Sequence, residues 1–388
     1  MNKNLIISGG GTGGHIYPAI SIANQLKKKV EDCNILFVGA KNKMEMKKVP
    51  ENGYKIIGLY ISGYQRKLNF ISNLTLPFKL IYSLIHSLII ILKYKPKIVV
   101  GTGGYASGPV MYIAALLRIP VFIQEQNSYP GLTNRILSKY AKKIFVAYDG
   151  MEKYFKNSEV ILSGNPIRKS IKNFNGKNKK EFLNQIKLDI GYKTILVLGG
   201  SLGAKILNDF IIENLDFFKK NNLQIILQCG TRYYDDYKNF ENKFLKILPF
   251  INDMDKAFSS ADLIISRSGA SIISELCFVG KPVIFIPSPN VAENHQSKNA
   301  RKLYDVGAAE YVEEDEIEYK LKSIINKIFI SDVYKKSLSE KIASLSKPNA
   351  SKIIVDEIKQ YINCLLYTSD AADEGLGVDL AGRRIIKK

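Results

Sequence analysis

Short apolar runs recur along the chain, with longer amphipathic stretches between them. In the first half they read NLIIS, NILFVG, KIIGL, KIVVG, PVFIQ, KIFVA and VILSG; in the second, KTILVLG, LQIILQ, ADLIIS, PVIFI and AAEYV. Apolar runs without polar alternation predict strands covered on both faces, so the pattern implies an α/β protein built on parallel sheets. The rhythm restarts at Thr194. There TILVLGGSLGAKILNDFI repeats the order of NLIISGGGTGGHIYPAISIANQL from Asn4, namely strand, glycine turn, helix. Two similar halves are expected, 1–164 and 165–344. Their seam lies near GNPIRKSIKNFNGKNKK (Gly164–Lys180), where a proline and a polar Asn/Lys/Gly run break the pattern.

Two segments stand apart from this rhythm. Leu76–Tyr94, LPFKLIYSLIHSLIIILKY, is the most apolar stretch, yet it falls short of the roughly 20 apolar residues of a bilayer span. Two readings remain: a buried crossover helix, or a helix whose outer side enters a membrane interface while Lys79, Lys93, Lys95 and Lys97 meet anionic headgroups. The neighbouring SGYQRKLNFISNL, with Arg66 and Lys67 beside aromatic and aliphatic residues, favours the second. From about Cys364 the composition shifts abruptly to Ala, Asp and Gly, and 364–388 is read as a non-native or disordered tail.

Composition narrows the partners. The 388 residues carry 56 Lys and Arg against 36 Asp and Glu, a formal net charge of +20, which favours an anionic partner such as nucleic acid, a phosphorylated substrate or an anionic membrane. Cys33, Cys229, Cys277 and Cys364 form no CxxC pair, so neither a zinc site nor a disulfide framework is indicated.

The glycines carry the candidate chemistry. Gly9, Gly11 and Gly14 spell GxGxxG after a strand, the dinucleotide fingerprint, but the second strand ends in Gly39, Ala40 and Lys41 where a ribose-binding acid is required. A phosphate loop of the Walker type is excluded because His15 stands where Lys-Ser/Thr is needed. What remains is a backbone able to approach a ligand closely, with helix-start amides that favour an anion or polar oxygen. His15 lies at that helix start, where the positive end of the dipole disfavours a charged imidazole, so a neutral ring able to accept a proton from a hydroxyl is expected. The second turn, Gly199–Ala204 with Ser201 in its middle, suits a diphosphate. Further on, Gly269 and Ala270 form another turn with Glu275 in the helix behind it, placed to hold two vicinal ribose hydroxyls.

The ordered stretches GGTGGHIYP, GTGGYASGP, QEQNSYPG, GNPIR, GGSLGA, FINDM, SRSGASIISE and HQSKNA resemble those of the MurG family, the UDP-N-acetylglucosamine transferases of peptidoglycan synthesis, over Asn4 to about Tyr361. The resemblance implies a GT-B fold: two Rossmann-like domains facing a cleft, with a C-terminal helix at about 345–363 crossing back to the first. It implies transfer of GlcNAc from UDP-GlcNAc to the 4-hydroxyl of the muramoyl sugar of lipid I, with inversion, giving lipid II at the cytoplasmic face of the cell membrane. Carried over by position, Ser201 would hold the diphosphate, the Ile251 backbone the uracil, Ala270, Ser271 and Glu275 the turn and ribose, and Gln296 the GlcNAc. Arg168 and Asn127 would also reach the donor. Thr12, Gly13 and Gly14 would face donor sugar and acceptor diphosphate, and His15 and Glu125 are candidates for the base, in that order.

The chain departs from the common family pattern at Gln124, where a histidine is frequent and therefore not essential here. It departs again at His295, where glutamine is frequent, and at Ser271 and Ile272 in the ribose turn. No cofactor and no metal are implied: no DxD-type cluster stands out, so helix starts and Arg168 would stabilise the departing UDP. The partners expected are UDP-GlcNAc, lipid I and an anionic membrane surface, without nucleic acid. A UDP-GlcNAc epimerase or another lipid glycosyltransferase of the same architecture is the alternative. A nicotinamide oxidoreductase lacks its ribose acid, and a bare membrane-binding module leaves two diphosphate cradles unexplained.

Overall fold

The computed structural model describes residues 3–63, 75–156, 158–172, 174, 176–200, 202–291 and 294–363. Thirteen parallel strands are described among them. The first half holds β1 (Lys3–Ser8), β2 (Cys33–Ala40), β3 (Lys55–Leu59), β4 (Ile98–Gly101), β5 (Val121–Glu125), β6 (Ala141–Val146) and β7 (Glu159–Leu162). The second holds β8 (Lys193–Leu198), β9 (Leu223–Gln228), β10 (Leu245–Leu248), β11 (Leu263–Ser266), β12 (Val283–Phe285) and β13 (Glu310–Tyr311). Their order is β3-β2-β1-β4-β5-β6-β7 in one sheet and β10-β9-β8-β11-β12-β13 in the other. Each sheet therefore reverses direction beside its first strand, between β1 and β4 and again between β8 and β11. Such a switch point opens a crevice at the carboxyl ends of the strands.

Both faces of each sheet are buried. Leu5 and Ile7 of β1 belong to one core cluster, with helix Gly13–Lys29, while Ile6 between them joins the opposite cluster. In β8, Ile195 and Val197 face one core and Leu196 and Leu198 the other. That two-sided burial is why the strands read as unbroken apolar runs. β10, LKIL, was absent from the expected strands: it lies at a sheet edge with only Leu245 and Ile247 buried, and Lys246 interrupts its apolar signal.

The chain passes between the halves twice, after β7 and again before a helix at 350–363. That last helix puts Ile354, Val355, Ile358 and Ile362 into the core beside β1. Tyr361 packs edge-on against Phe122 at 5.6 Å, and Glu357 pairs with Lys143 at 2.7 Å. Helix Leu76–Tyr94 is 19 residues long and, against the expectation that it falls short, is by length and composition alone apolar enough to cross a membrane. One side of it is packed on the sheet: Ser83, Ser87, Ile90 and Ile91 are buried, and the Ser83 hydroxyl donates to the Tyr60 carbonyl at 3.2 Å. Its other side is bare, with Phe78 75%, Ile85 56% and Leu92 57% exposed. Arg66 and Lys67, expected beside it, lie outside the described residues, as do Ser201 and the 364–388 tail.

Candidate functional site

The carboxyl ends of both sheets converge on one cleft. From the first half come the loop after β1, Thr102–Gly104 after β4, and Gln126–Gly131 after β5. From the second come 199–200 and 202–204 after β8, 267–270 after β11, and helix His295–Asp305. The two sides touch directly: the Ser271 hydroxyl donates to the Gly14 carbonyl at 3.3 Å, and Ser128 N–H donates to Asn299 Oδ1 at 3.0 Å.

Glycine is demanded in the first loop by crowding. A Cβ on Gly9 would sit 2.0 Å from Thr102 Oγ1, and one on Gly10 2.2 Å from Glu45 Oε1, while Gly11 has φ +87°. Glu45 was not anticipated. It is fully buried, and one carboxylate oxygen accepts from Ala40 N–H at 2.9 Å and Gly11 N–H at 3.1 Å. This acid behind β2 clamps the glycine loop rather than a ribose. Thr12 is exposed at the start of helix Gly13–Lys29, and Gly13 and Gly14 follow it half-buried.

His15 is held from one side. Its Nδ1 faces two acceptors, the Thr102 carbonyl at 3.0 Å and Gln126 Oε1 at 2.9 Å, so Nδ1 carries a proton and the tautomer these contacts select has its lone pair on Nε2. Gln126 is itself fixed, donating to the Thr102 carbonyl at 2.7 Å and to the Gln124 side-chain oxygen. Gln124 then donates to Asn165 Oδ1 at 2.9 Å, and Asn165 Nδ2 donates to the Gln126 carbonyl at 3.1 Å and the Ser274 hydroxyl at 3.0 Å. A buried amide relay thus runs from His15 to the second half. Gln124, which stands where the family often has histidine, is a link in that relay.

Glu125, the second candidate for the base, is enclosed by donors of its own chain. It is 1% exposed, and its two oxygens accept from Asn127 N–H at 2.9 Å, Asn127 Nδ2 at 3.2 Å, Gly131 N–H at 3.1 Å and Asn134 Nδ2 at 2.7 Å. Four donors meet the carboxylate, which braces the 126–131 loop. Asn127 is held in turn, its side-chain oxygen accepting from Asn299 Nδ2 at 3.3 Å.

The donor side shows similar commitments. Glu275, read from sequence as a ribose acceptor, is buried and paired with Arg168, whose Nε donates to Oε1 at 2.6 Å while NH2 engages Oε2. Burial alone would pull the Arg168 guanidinium down, but this two-pronged pairing outweighs it and holds the group above its ordinary value. The guanidinium also lies 5.3 Å from the centre of the Tyr17 ring in the first half. Two residues expected to touch the nucleotide separately are therefore one unit. The Ile251 backbone, expected to meet the uracil, donates its N–H to Gln228 Oε1 at 3.0 Å, and Gln228 Nε2 donates to the Gly200 carbonyl at 3.0 Å. Gln228 ties the Ile251 loop to the glycine turn and had no motif to announce it.

In that turn, a Cβ on Gly203 would lie 1.9 Å from the Cys229 carbonyl at a φ of +78°, whereas Gly200 faces open space. The turn leads into helix Lys205–Glu213, whose first amides point to the cleft end of the sheet. Ala270 opens helix Ala270–Val279 in the same manner, with Gly269 extended before it. Gln296 accepts from Ser288 N–H at 3.0 Å, and its carbonyl accepts from the Ser268 hydroxyl at 3.0 Å. His295 precedes it on the same helix. Among the described residues no three His, Cys, Asp or Glu side chains converge as a metal site requires.

Comparison with known proteins gives this cleft its context. Residues 5–146 match the glycosyltransferase family 28 N-terminal domain, and residues 194–354 match the glycosyltransferase family 28 C-terminal domain. The chain is 51% identical over 354 residues to the UDP-N-acetylglucosamine--N-acetylmuramyl-(pentapeptide) pyrophosphoryl-undecaprenol N-acetylglucosamine transferase of Flavobacterium psychrophilum, covering 91% of this chain and 96% of that one. It is 47% identical over 359 residues to the protein of the same description from Christiangramia forsetii, covering 92% and 98%. Among solved structures it superposes on Acinetobacter baumannii MurG with a TM-score of 0.72 at 29% identity, covering 92% of this chain and 99% of that one. A UDP-N-acetylglucosamine 2-epimerase shares the fold, with a TM-score of 0.64 at 14% identity and coverage of 94% and 97%.

Proposed function

Because the chain belongs to glycosyltransferase family 28 and is, like its near-full-length relatives, an N-acetylglucosamine transferase that forms lipid II, we propose that His15 is the base of the transfer. In this reading Nε2 takes the proton from the 4-hydroxyl of the muramoyl sugar of lipid I. The hydroxyl oxygen bonds to the anomeric carbon of GlcNAc, and the breaking C–O bond gives its electron pair to the departing UDP, with inversion. The observation that carries the assignment is the pair of acceptors at Nδ1, which fixes the tautomer with Nε2 as acceptor.

Charge on the leaving diphosphate is met by the amide-rich starts of helices Lys205–Glu213 and Ala270–Val279. Ser201, Ile251, Ala270, Ser271 and Gln296 surround the donor in this reading. Arg168 is offered to the nucleotide by Glu275, and Asn127 reaches the donor from the first half. Thr12, Gly13 and Gly14 form the wall facing donor sugar and acceptor diphosphate.

The enzyme works as a peripheral protein on the cytoplasmic side of the cell membrane, serving wall biogenesis and through it cell shape and division. The bare side of helix Leu76–Tyr94 supports this, together with the exposed Leu116 and Leu117 at the end of the helix Ser107–Leu116 packed on it and Leu132 and Ile136 of the helix after that. Exposed apolar surface of that kind, with Lys93, Lys95 and Lys97 at one end of the long helix, suits an anionic lipid interface. The net charge of +20 then serves diphosphates and headgroups rather than nucleic acid.

The test uses labelled UDP-GlcNAc with a water-soluble lipid I analogue and follows disaccharide product and released UDP. Loss of a general base costs about 10²–10⁴-fold in turnover, so His15→Ala should fall by that factor with the donor still bound. Near-normal turnover of the variant removes His15 from the role.

A further inference from the structure

We propose that the cavity where the chain crosses between the halves binds a small amphipathic anion, and that its occupancy sets the angle between the halves. The cavity measures about 420 Å³ and lies between the two sheets, on the side marked by the crossing segments. That volume falls in the ordinary range of small-ligand sites, roughly 300–1,000 Å³. Its walls come from both halves and both crossings: Tyr148 from the first half, Ile273 and Leu303 from the second, Ile167 from one crossing and Ser346 from the other. A ligand touching all of these is in contact with every part that must shift when the halves rotate.

The lining states the chemistry of the occupant. Most of it is apolar, including Leu162, Ile167, Ile273 and Val306, which suits an alkyl or aryl body. Two hydroxyls in it, Tyr148 Oη and Ser346 Oγ, are buried and have no hydrogen-bond partner among the described residues. A buried donor left unpaired is costly, and each of these hydroxyls can donate to an acceptor group of the ligand. The charged residues of the lining are Lys302 and Lys347 against the single acid Asp149, so the balance favours an anion. Lys302 lies 5.3 Å from the centre of the Tyr148 ring and makes only a long contact of 3.4 Å with the Asp149 carbonyl.

The floor of the cavity connects it to the reaction. Asn165 and Ser274 line it, and Asn165 is the link through which Gln124 and Gln126 reach His15. Rotation of one half against the other has to strain this relay, because Asn165 also donates to Ser274 in the second half at 3.0 Å. Occupancy of the cavity therefore acts on turnover without touching the donor cleft.

The probe is 8-anilinonaphthalene-1-sulfonate, an aryl sulfonate whose fluorescence rises on apolar burial, with decanoate as competitor. The exposed helix Leu76–Tyr94 also attracts such a dye, so the titration is run on the Ile85→Asp/Leu92→Asp protein as well as the parent. We expect a saturable component that survives those helix changes, is displaced by decanoate, and weakens at least tenfold in Val306→Trp, which fills the rim. Tyr148→Phe combined with Ser346→Ala should weaken it about threefold or more while keeping the apolar shape. In the transferase assay with a water-soluble acceptor, the probe should lower kcat at unchanged KM for UDP-GlcNAc in the parent and leave Val306→Trp unaffected. Loss of the whole signal in the Ile85→Asp/Leu92→Asp protein, or parent-like affinity in Val306→Trp, overturns the site. Unchanged turnover at saturating probe overturns its action on the hinge.

Discussion

Glu125 offers the sharpest separation of two roles, because a base and a brace respond oppositely to the same change. Glu125→Gln preserves size but turns one oxygen into an amide that donates. The four donors are shared two and two: Asn127 N–H and Nδ2 on one oxygen, Gly131 N–H and Asn134 Nδ2 on the other. Either orientation of the amide therefore sets a donor against two donors. Each orphaned buried donor costs about 1–3 kcal/mol; because the Gly131 end is more open, a total of roughly 2–4 kcal/mol is expected. For a half of this size the melting temperature should fall by about 4–16 °C. Thermal unfolding followed by circular dichroism measures the loss. Residual turnover at a temperature well below the new transition should keep the pH profile of the parent. A Glu125→Gln protein that melts with the parent and loses turnover 10²-fold or more would refute the brace and restore Glu125 as the base.

Two further outcomes follow from the surface and from the buried thiols. Ile85→Asp with Leu92→Asp places two charges on side chains that are 56% and 57% exposed; each aliphatic group withdrawn from an apolar phase is worth about 1.5–3 kcal/mol, so sedimentation with phosphatidylglycerol vesicles should weaken tenfold or more while turnover on a water-soluble acceptor persists. Unchanged vesicle binding rejects that face. Alkaline stability is the second. Burial pushes the Cys33 thiol up to about 11, against the opposing pull of Lys27 and Lys3, and the Tyr54 phenol up to about 12. The unfolded chain ionises first, so stability is full below about pH 9 and falls as pH rises toward 11, by up to about 2–3 kcal/mol from Cys33. Melting temperatures from pH 8 to 11 should show this decline, and Cys33→Ala should flatten part of it; a parallel decline in both proteins removes Cys33 as a cause.

How far the molecule was legible depends on the range over which each signal acts. A strand buried on both faces writes its whole length in apolar residues, so β1, β2, β8 and β9 were plain, and the repeated glycine turn placed two sheets of the same winding. β10 failed because an edge strand buries only alternate residues and Lys246 fills one of the others. In the cleft, residue type was readable but partner was not. His15 could be placed at a helix start from its neighbours, whereas Thr102 and Gln126, which fix its tautomer, are 87 and 111 residues away. Gln124, Gln126, Asn165 and Gln228 carry no motif, since an amide is informative only through what it meets. A carboxylate behind a glycine turn reads equally as a ribose acceptor or as the partner of a distant cation. At Glu275 the cation that meets the carboxylate is Arg168, which comes from the crossing segment 107 residues earlier. The same reasoning explains why Glu45 went unread: the fingerprint leads one to seek an acid at the end of β2 for a ribose, and here the acid lies five residues after the Ala40 that closes the strand, turned back onto the Gly11 amide. A loop clamped in that way is held in shape by a buried carboxylate from outside it, which no reading of the loop's own residues can supply.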